Sequence, residues 1–79
     1  MGEYKLTHNG INAGIYENGS LALEAMEDIL KGIDKKYHPK VNHTAVDCDT
    51  GKEITTIIYQ ADDGEQQVFL IEKDGHAVE

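Results

Sequence analysis

The first part of the chain alternates apolar and polar residues on both sides of an Asn-Gly pair. Asn9-Gly10 separates residues 4–8 from residues 11–17, and this pair favours a two-residue type I′ turn because both turn positions need a positive φ. The alternation therefore predicts a β-hairpin with one shared, largely apolar face. That face holds Tyr4, Leu6, His8, Ile11, Ala13 and Ile15.

Apolar positions then recur at spacings of three and four residues, which is typical of an amphipathic helix. The spacing predicts a helix over residues 21–37, with Ser20 as the N-cap and Pro39 preventing its continuation. The buried stripe of this helix consists of Ala22, Met26, Ile29, Leu30, Ile33 and Tyr37.

From residue 41 the period changes to two. Three strands are predicted, over residues 41–48, 53–61 and 66–73, joined by polar turns at residues 49–52 and 62–65. The predicted fold class is α+β: an N-terminal hairpin and a C-terminal three-stranded meander form antiparallel sheet that packs against one helix, in the order ββαβββ.

The chain length sets the number of domains. Seventy-nine residues suffice for one hydrophobic core, so residues 1–79 are predicted to form a single small domain. Residues 74–79 offer little that would anchor them, and we expect this tail to fray.

The meander is apolar on both faces, although one helix can cover only one of them. A turn centred on Asp63-Gly64 pairs Tyr59 with Val68 and sends Ile58 and Phe69 to the opposite face. This second face is a candidate partner-binding surface. Its proposed binding residues are Ile58, Phe69, Ile71 and His43. One alternative stays open at this point: the N-terminal hairpin folds across that face and closes the core within one chain.

The chain is strongly acidic, and its excess of acidic residues lies mainly in its second half. Fifteen acids against seven basic residues give a net charge of −8, and residues 41–79 contribute nine acids and two lysines, a sum of −7. All basic residues are lysines, so the bidentate guanidinium contact to phosphate is absent and direct nucleic acid binding is disfavoured. The acidic surface instead suggests a nucleic-acid mimic. Its carboxylates are those of Asp47, Asp49, Glu53, Asp62, Asp63, Glu65, Glu72 and Asp74.

The residues with catalytic or metal-binding chemistry do not form a recognisable pattern. Cys48 is the single cysteine, so no internal disulfide forms and a reducing, cytoplasmic location is expected. The segment from Asp47 to Gly51 fails the calcium-loop spacing, because Ile58 occupies the position of the final glutamate. Ser20 is the single serine and is assigned to helix capping. We therefore expect no enzyme, no metal and no cofactor.

These observations favour a non-catalytic interaction module. The expected partner is a second copy of the chain or another protein, bound through the sheet face, with neither nucleic acid nor membrane as a direct partner. The alternative is the acidic nucleic-acid mimic, an inhibitor of a DNA- or RNA-binding protein.

Overall fold

The predicted elements assemble into a five-stranded antiparallel sheet and one helix in the structure, a computed structural model that describes residues 3–73. The strands are β1 (Tyr4–His8), β2 (Ile11–Tyr16), β3 (Tyr37–Val46), β4 (Glu53–Ala61) and β5 (Gln66–Lys73), and the helix is α1 (Gly19–Gly32). The sheet order is β2-β1-β5-β4-β3. The predicted fold class and element order are confirmed, and the limits of β4 and β5 are those predicted. The expected fraying of residues 74–79 concerns a segment outside the described residues.

The turn between β1 and β2 forms as predicted. Asn9 has a φ of 52° and Gly10 a φ of 85°, and His8 lies opposite Ile11. The Asn9 side chain adds a contact to a third strand, because its Oδ1 accepts a hydrogen bond from the backbone N–H of Val68 at 2.8 Å. The hairpin turn is thereby fixed to β5.

The predicted register of this hairpin is correct only next to the turn. Leu6 lies opposite Gly14, so Ala13 is the extra residue of a β-bulge. Gly14 adopts a φ of 130°, which residues with a side chain rarely take. The bulge reverses the faces beyond it: Tyr16 packs against the core, whereas Ile15, predicted to be on the core face, is 58% exposed.

The helix begins earlier and ends earlier than predicted. Its N-cap is Asn18, whose side-chain oxygen accepts a hydrogen bond from the N–H of Leu21 at 2.9 Å. Ser20 is therefore inside the first turn, and its assignment as N-cap is wrong. The last helical residue is Gly32, and Tyr37, predicted to close the helix, is instead the first residue of β3.

One hydrophobic cluster lies between α1 and the sheet. Its buried members are Leu6, Ala22, Met26, Ile57, Phe69 and Ile71. Of the predicted helical stripe, Ala22 and Met26 are buried, and Ile29 and Leu30 pack against the cluster. The helix packs mainly on β1, β2 and β5, and the cluster beneath it also includes Ile57 of β4.

The predicted register between β4 and β5 is wrong by one residue. Tyr59 pairs with Gln67, and Ile57 pairs with Phe69. The turn is a three-residue loop: Gly64 N–H donates to the Ala61 carbonyl at 3.0 Å, and Gly64 has a φ of 93°. A type I turn followed by a residue in this conformation makes a bulge and shifts the pairing by one position. Every side chain of β5 therefore faces the side opposite to the one predicted.

The third strand also differs from its prediction. It starts four residues before residue 41 and ends two residues before residue 48. Pro39 is accommodated because β3 is an edge strand and the register shifts between Pro39 and Val41, which leaves Lys40 as an extra residue. A proline has no N–H to donate to a ladder, and edges and bulges are where sheets tolerate it.

Candidate interaction surface

The sheet has a second face that carries no helix. We call it the helix-free face. By strand alternation its side chains belong to Ile15 from β2, Thr7 from β1, Val68 and Leu70 from β5, Ile54, Thr56 and Ile58 from β4, and Val41, His43 and Ala45 from β3. Its centre is apolar, and no other element among residues 3–73 lies over it. The alternative that the N-terminal hairpin crosses this face is wrong, because β1 and β2 extend the same sheet.

The four predicted binding residues do not share one face. Phe69 is fully buried and Ile71 is 7% exposed, both under α1. Ile58 and His43 lie on the helix-free face. The predicted grouping is therefore wrong, and its cause is the one-residue register shift at Gly64. An uncovered apolar face does exist, as predicted, with Val68 and Leu70 in the places assigned to Phe69 and Ile71.

The edge strand β3 is the most exposed element of the sheet. Every residue after Tyr37 in this strand is exposed, and two of its large apolar side chains, Val41 and Val46, are 38% and 55% exposed. The helix does not reach β3, so the strand is open on both faces and along its outer edge. A strand of this kind presents unpaired backbone groups to solvent.

The hydrogen-bonding pattern shows which residues direct those groups outward. Asp47 N–H donates to the Lys52 carbonyl at 2.8 Å, which makes this pair a hydrogen-bonded one. Hydrogen-bonded and non-hydrogen-bonded pairs alternate along an antiparallel ladder, so Asn42, Thr44 and Val46 fall in non-hydrogen-bonded pairs with β4. Their N–H and C=O groups point away from β4. The 3.0 Å contact between the hydroxyls of Thr44 and Thr55 agrees with this assignment, because side chains come closest in non-hydrogen-bonded pairs.

A polar network centred on the buried Gln67 lies at the end of the sheet where β3 and β5 begin. Gln67 is 6% exposed, and its Nε2 donates to the Tyr37 hydroxyl at 3.1 Å and to Glu65 Oε2 at 3.0 Å. Its Oε1 accepts from Asn9 Nδ2 at 2.9 Å and contacts His8 Nε2 at 2.6 Å. Because Oε1 can only accept, His8 Nε2 carries the proton. The network is satisfied and joins β1, β3 and β5.

The His8 ring also packs on the core. It stacks on Phe69 with centroids 4.7 Å apart and an angle of 9° between the ring planes. One ring nitrogen is held by Gln67, and His8 is half-buried. These contacts give the residue a structural role.

An ion-pair group extends this network to the surface. Lys35 Nζ lies 2.8 Å from Asp63 Oδ2 and 2.5 Å from Glu65 Oε1. Hydrogen bonds from Lys35 hold the pKa of both carboxyl groups below their ordinary values, and the same contacts raise the pKa of Lys35. All three side chains are substantially exposed, so solvent screens the attraction.

The acidic residues proposed for a nucleic-acid-mimic surface fall into two groups, at opposite ends of the strands. Asp62, Asp63 and Glu65 lie in the β4–β5 turn. Those at the other end are Asp47, Asp49, Glu53 and Glu72. The length of β4 separates the ends by about 26 Å at about 3.3 Å per residue. Asp74, also assigned to the acidic surface, lies outside the described residues. The seven proposed acidic-surface residues that the structure describes thus form two clusters, whereas mimicry of a nucleic acid backbone calls for one contiguous line.

The cysteine and the potential metal ligands among the described residues do not come together in one site. Cys48 is exposed in the turn between β3 and β4. Within residues 3–73, no three histidine, cysteine, aspartate or glutamate side chains are placed to hold a metal ion. In the same range no helix is long and apolar enough to cross a membrane.

Sequence reasoning missed two features of these surfaces. The Gln67 network draws its members from three segments distant in sequence, so no local pattern indicates it. The early start of β3 has a weak signal in Tyr37 and Pro39, since the residue preceding a proline favours extended backbone. Comparison of the chain with protein-family models, curated proteins and solved structures found no match.

Proposed function

We propose that this chain is a small non-catalytic interaction module that associates with a second copy of itself through the uncovered part of its sheet. The observation that carries the proposal is the position of α1, which packs mainly on one face of β1, β2 and β5. The helix-free face has no helix over it, and β3 is exposed after Tyr37.

The size of the uncovered region supports this function. Five strands at about 4.8 Å spacing and about six residues at 3.3 Å each give the helix-free face an area of roughly 480 Å². The apolar side chains at its centre occupy part of this area, and exposed apolar patches of a few hundred Å² commonly mark interaction sites. The face has an apolar centre around Ile58 and Leu70, with Lys5, Gln60 and Gln66 toward its margins, the arrangement found in protein interfaces.

Self-association also fits the size of the domain. A core built from six buried residues supplies a net stability of only about 3 to 5 kcal/mol in domains of this length, and oligomerisation is a common addition. The single cysteine is exposed and makes no bridge within the chain. A second copy would add buried area without any covalent link.

The molar mass in solution tests the proposal. Light scattering should be recorded from about 1 μM to about 1 mM protein, at about 10 mM and about 150 mM salt. We expect the mass to rise from 8.7 kDa toward twice that value. The rise should be steeper at the higher salt, which screens the repulsion between two copies that each carry a charge of −8. A mass that stays at one copy under all conditions would contradict the proposal.

A further inference from the structure

We infer that two copies pair through β3, antiparallel, with Thr44 at the two-fold axis. This inference rests on the proposed self-association and specifies the surface that performs it. It predicts a continuous ten-stranded sheet in which the two edge strands hydrogen-bond to each other.

The outward backbone groups of β3 are self-complementary. Asn42, Thr44 and Val46 direct N–H and C=O toward the free edge, as the ladder with β4 requires. When Thr44 faces Thr44 of the second copy, Asn42 of each copy faces Val46 of the other. Three hydrogen-bonded pairs then form, and each pair exchanges two bonds.

Other registers form fewer bonds. Shifting the axis to His43 leaves Val46 opposite Lys40, which is the extra residue of the bulge and disrupts regular pairing. Shifting it to Ala45 leaves Asn42 without a partner residue in β3. Each of these registers keeps two pairs, so the register centred on Thr44 uses the available edge most fully.

The features that protect an edge strand are confined to one half of β3. Pro39, Lys40 and the bulge lie in its first half, and proline, lysine and bulges are the usual means of blocking edge pairing. Residues 42–46 contain none of them. Val46, which is more exposed than Val41, lies in this open segment.

The charges at the two ends of β3 favour the antiparallel direction. Lys40 lies near its start, and Asp47 and Asp49 follow its end. Antiparallel pairing brings Lys40 of each copy beside these acids of the other, whereas parallel pairing would place acid against acid. Lys40 makes no ion pair with any residue in the described part of its own chain. Such rim charges contribute mainly to orientation and specificity.

The arrangement has a consequence for the helix-free face. The two-fold axis of an antiparallel pair is perpendicular to the sheet, so both helices lie on one side of the assembly and both helix-free faces on the other. The pairing therefore joins the two apolar faces into one surface of twice the area.

Disulfide trapping tests the register. Thr44→Cys is made in a Cys48→Ser background, so that each chain carries one thiol. The protein is then oxidised with a glutathione buffer. In the predicted pair the Cα atoms of residue 44 are about 5.5 Å apart, within disulfide range. We expect most of the Thr44→Cys chain to migrate as a linked dimer.

Two matched controls carry a thiol elsewhere in the same background. Ser20→Cys lies on the exposed helix and Thr56→Cys on the helix-free face, and neither should link. Linkage at Thr56 in preference to Thr44 would indicate face-to-face stacking and overturn the β3 pairing.

A charge variant tests the pairing without oxidation. Thr44→Lys places like charges opposite each other at the axis and should reduce dimer formation at least tenfold. Thr55→Val is the matched control, because it removes the same Thr44–Thr55 hydrogen bond but leaves the edge uncharged, and it should remain dimeric. If the parent chain is a dimer and Thr44→Lys leaves it unchanged, β3 pairing is wrong and self-association stands. If the parent chain is a monomer throughout, both fail.

Discussion

Truncation of Phe69 is the substitution that most directly tests the observed register. Phe69 has no solvent exposure, stacks on His8, and meets Tyr59 edge-on at 6.4 Å between centroids. Phe69→Ala removes a fully buried ring and leaves a cavity under α1. Such truncations cost about 3 to 5 kcal/mol in total, a figure that already includes the lost ring contacts.

That cost is as large as the whole stability expected for the domain, about 3 to 5 kcal/mol. Phe69→Ala should therefore be substantially unfolded at room temperature. Phe69→Leu fills most of the volume, and its expected cost of about 1.5 kcal/mol leaves a folded protein whose stability can be measured.

Leu70 provides the matched comparison, because it is adjacent in sequence but lies half-buried on the helix-free face. Half of a leucine's transfer free energy is about 1 kcal/mol, so Leu70→Ala should remain folded. Urea unfolding followed by far-ultraviolet circular dichroism, at low protein concentration to keep the chains monomeric, measures all three variants. A larger loss for Leu70→Ala than for Phe69→Ala would refute the register and support the pairing first predicted from the sequence.

Four further substitutions test local features. Asn18→Ala should cost about 1 kcal/mol in urea unfolding because it removes the N-cap, whereas Ser20→Ala should change stability by less than about 0.5 kcal/mol. Gln67→Met keeps the volume but breaks the polar network, with an expected loss of about 1 to 3 kcal/mol and altered chemical shifts of the network side chains in NMR spectra. Lys35 lowers the pKa of Glu65, so the stabilisation from this pair is present at neutral pH and is lost as the pH falls below about 4. Glu65→Gln should accordingly lower the urea midpoint more at pH 7 than near pH 3; an equal loss at both values would contradict the ion-pair assignment.

The parts of the fold that sequence reasoning predicted are those fixed by local chemistry. Asn9-Gly10 demands a tight turn with positive φ, and period-two apolar runs mark β4 and β5 to the residue. The errors lie where two local backbone conformations differ little in free energy. An Asp-Gly pair fits both a two-residue turn and a three-residue loop with a bulge at Gly64, and only tertiary packing of Phe69 beneath the helix selects the second.

The same distinction applies to the candidate surface. The alternation of residues along the strands indicated that the meander is apolar on both faces, more than one helix can cover, and the structure contains such an uncovered face. Which residues occupy that face depends on strand register, and register depends on one residue in a turn. The open edge of β3 was not predicted, because the alternation over residues 41–48 indicates a strand but not its place at the end of the sheet.

The position of β1 between β2 and β5 determines when the core can be completed during synthesis. Leu6 and Met26 leave the ribosome long before Phe69, against which the finished core packs them. Pairing β1 with β5 also closes a loop of some sixty residues, Leu6 to Ile71, and such long-range closure slows folding. We therefore expect the local hairpins of the meander to assemble first and β1 to join them last. Until then the N-terminal hairpin and helix expose apolar surface, so newly made chains are most prone to aggregation just before β5 emerges.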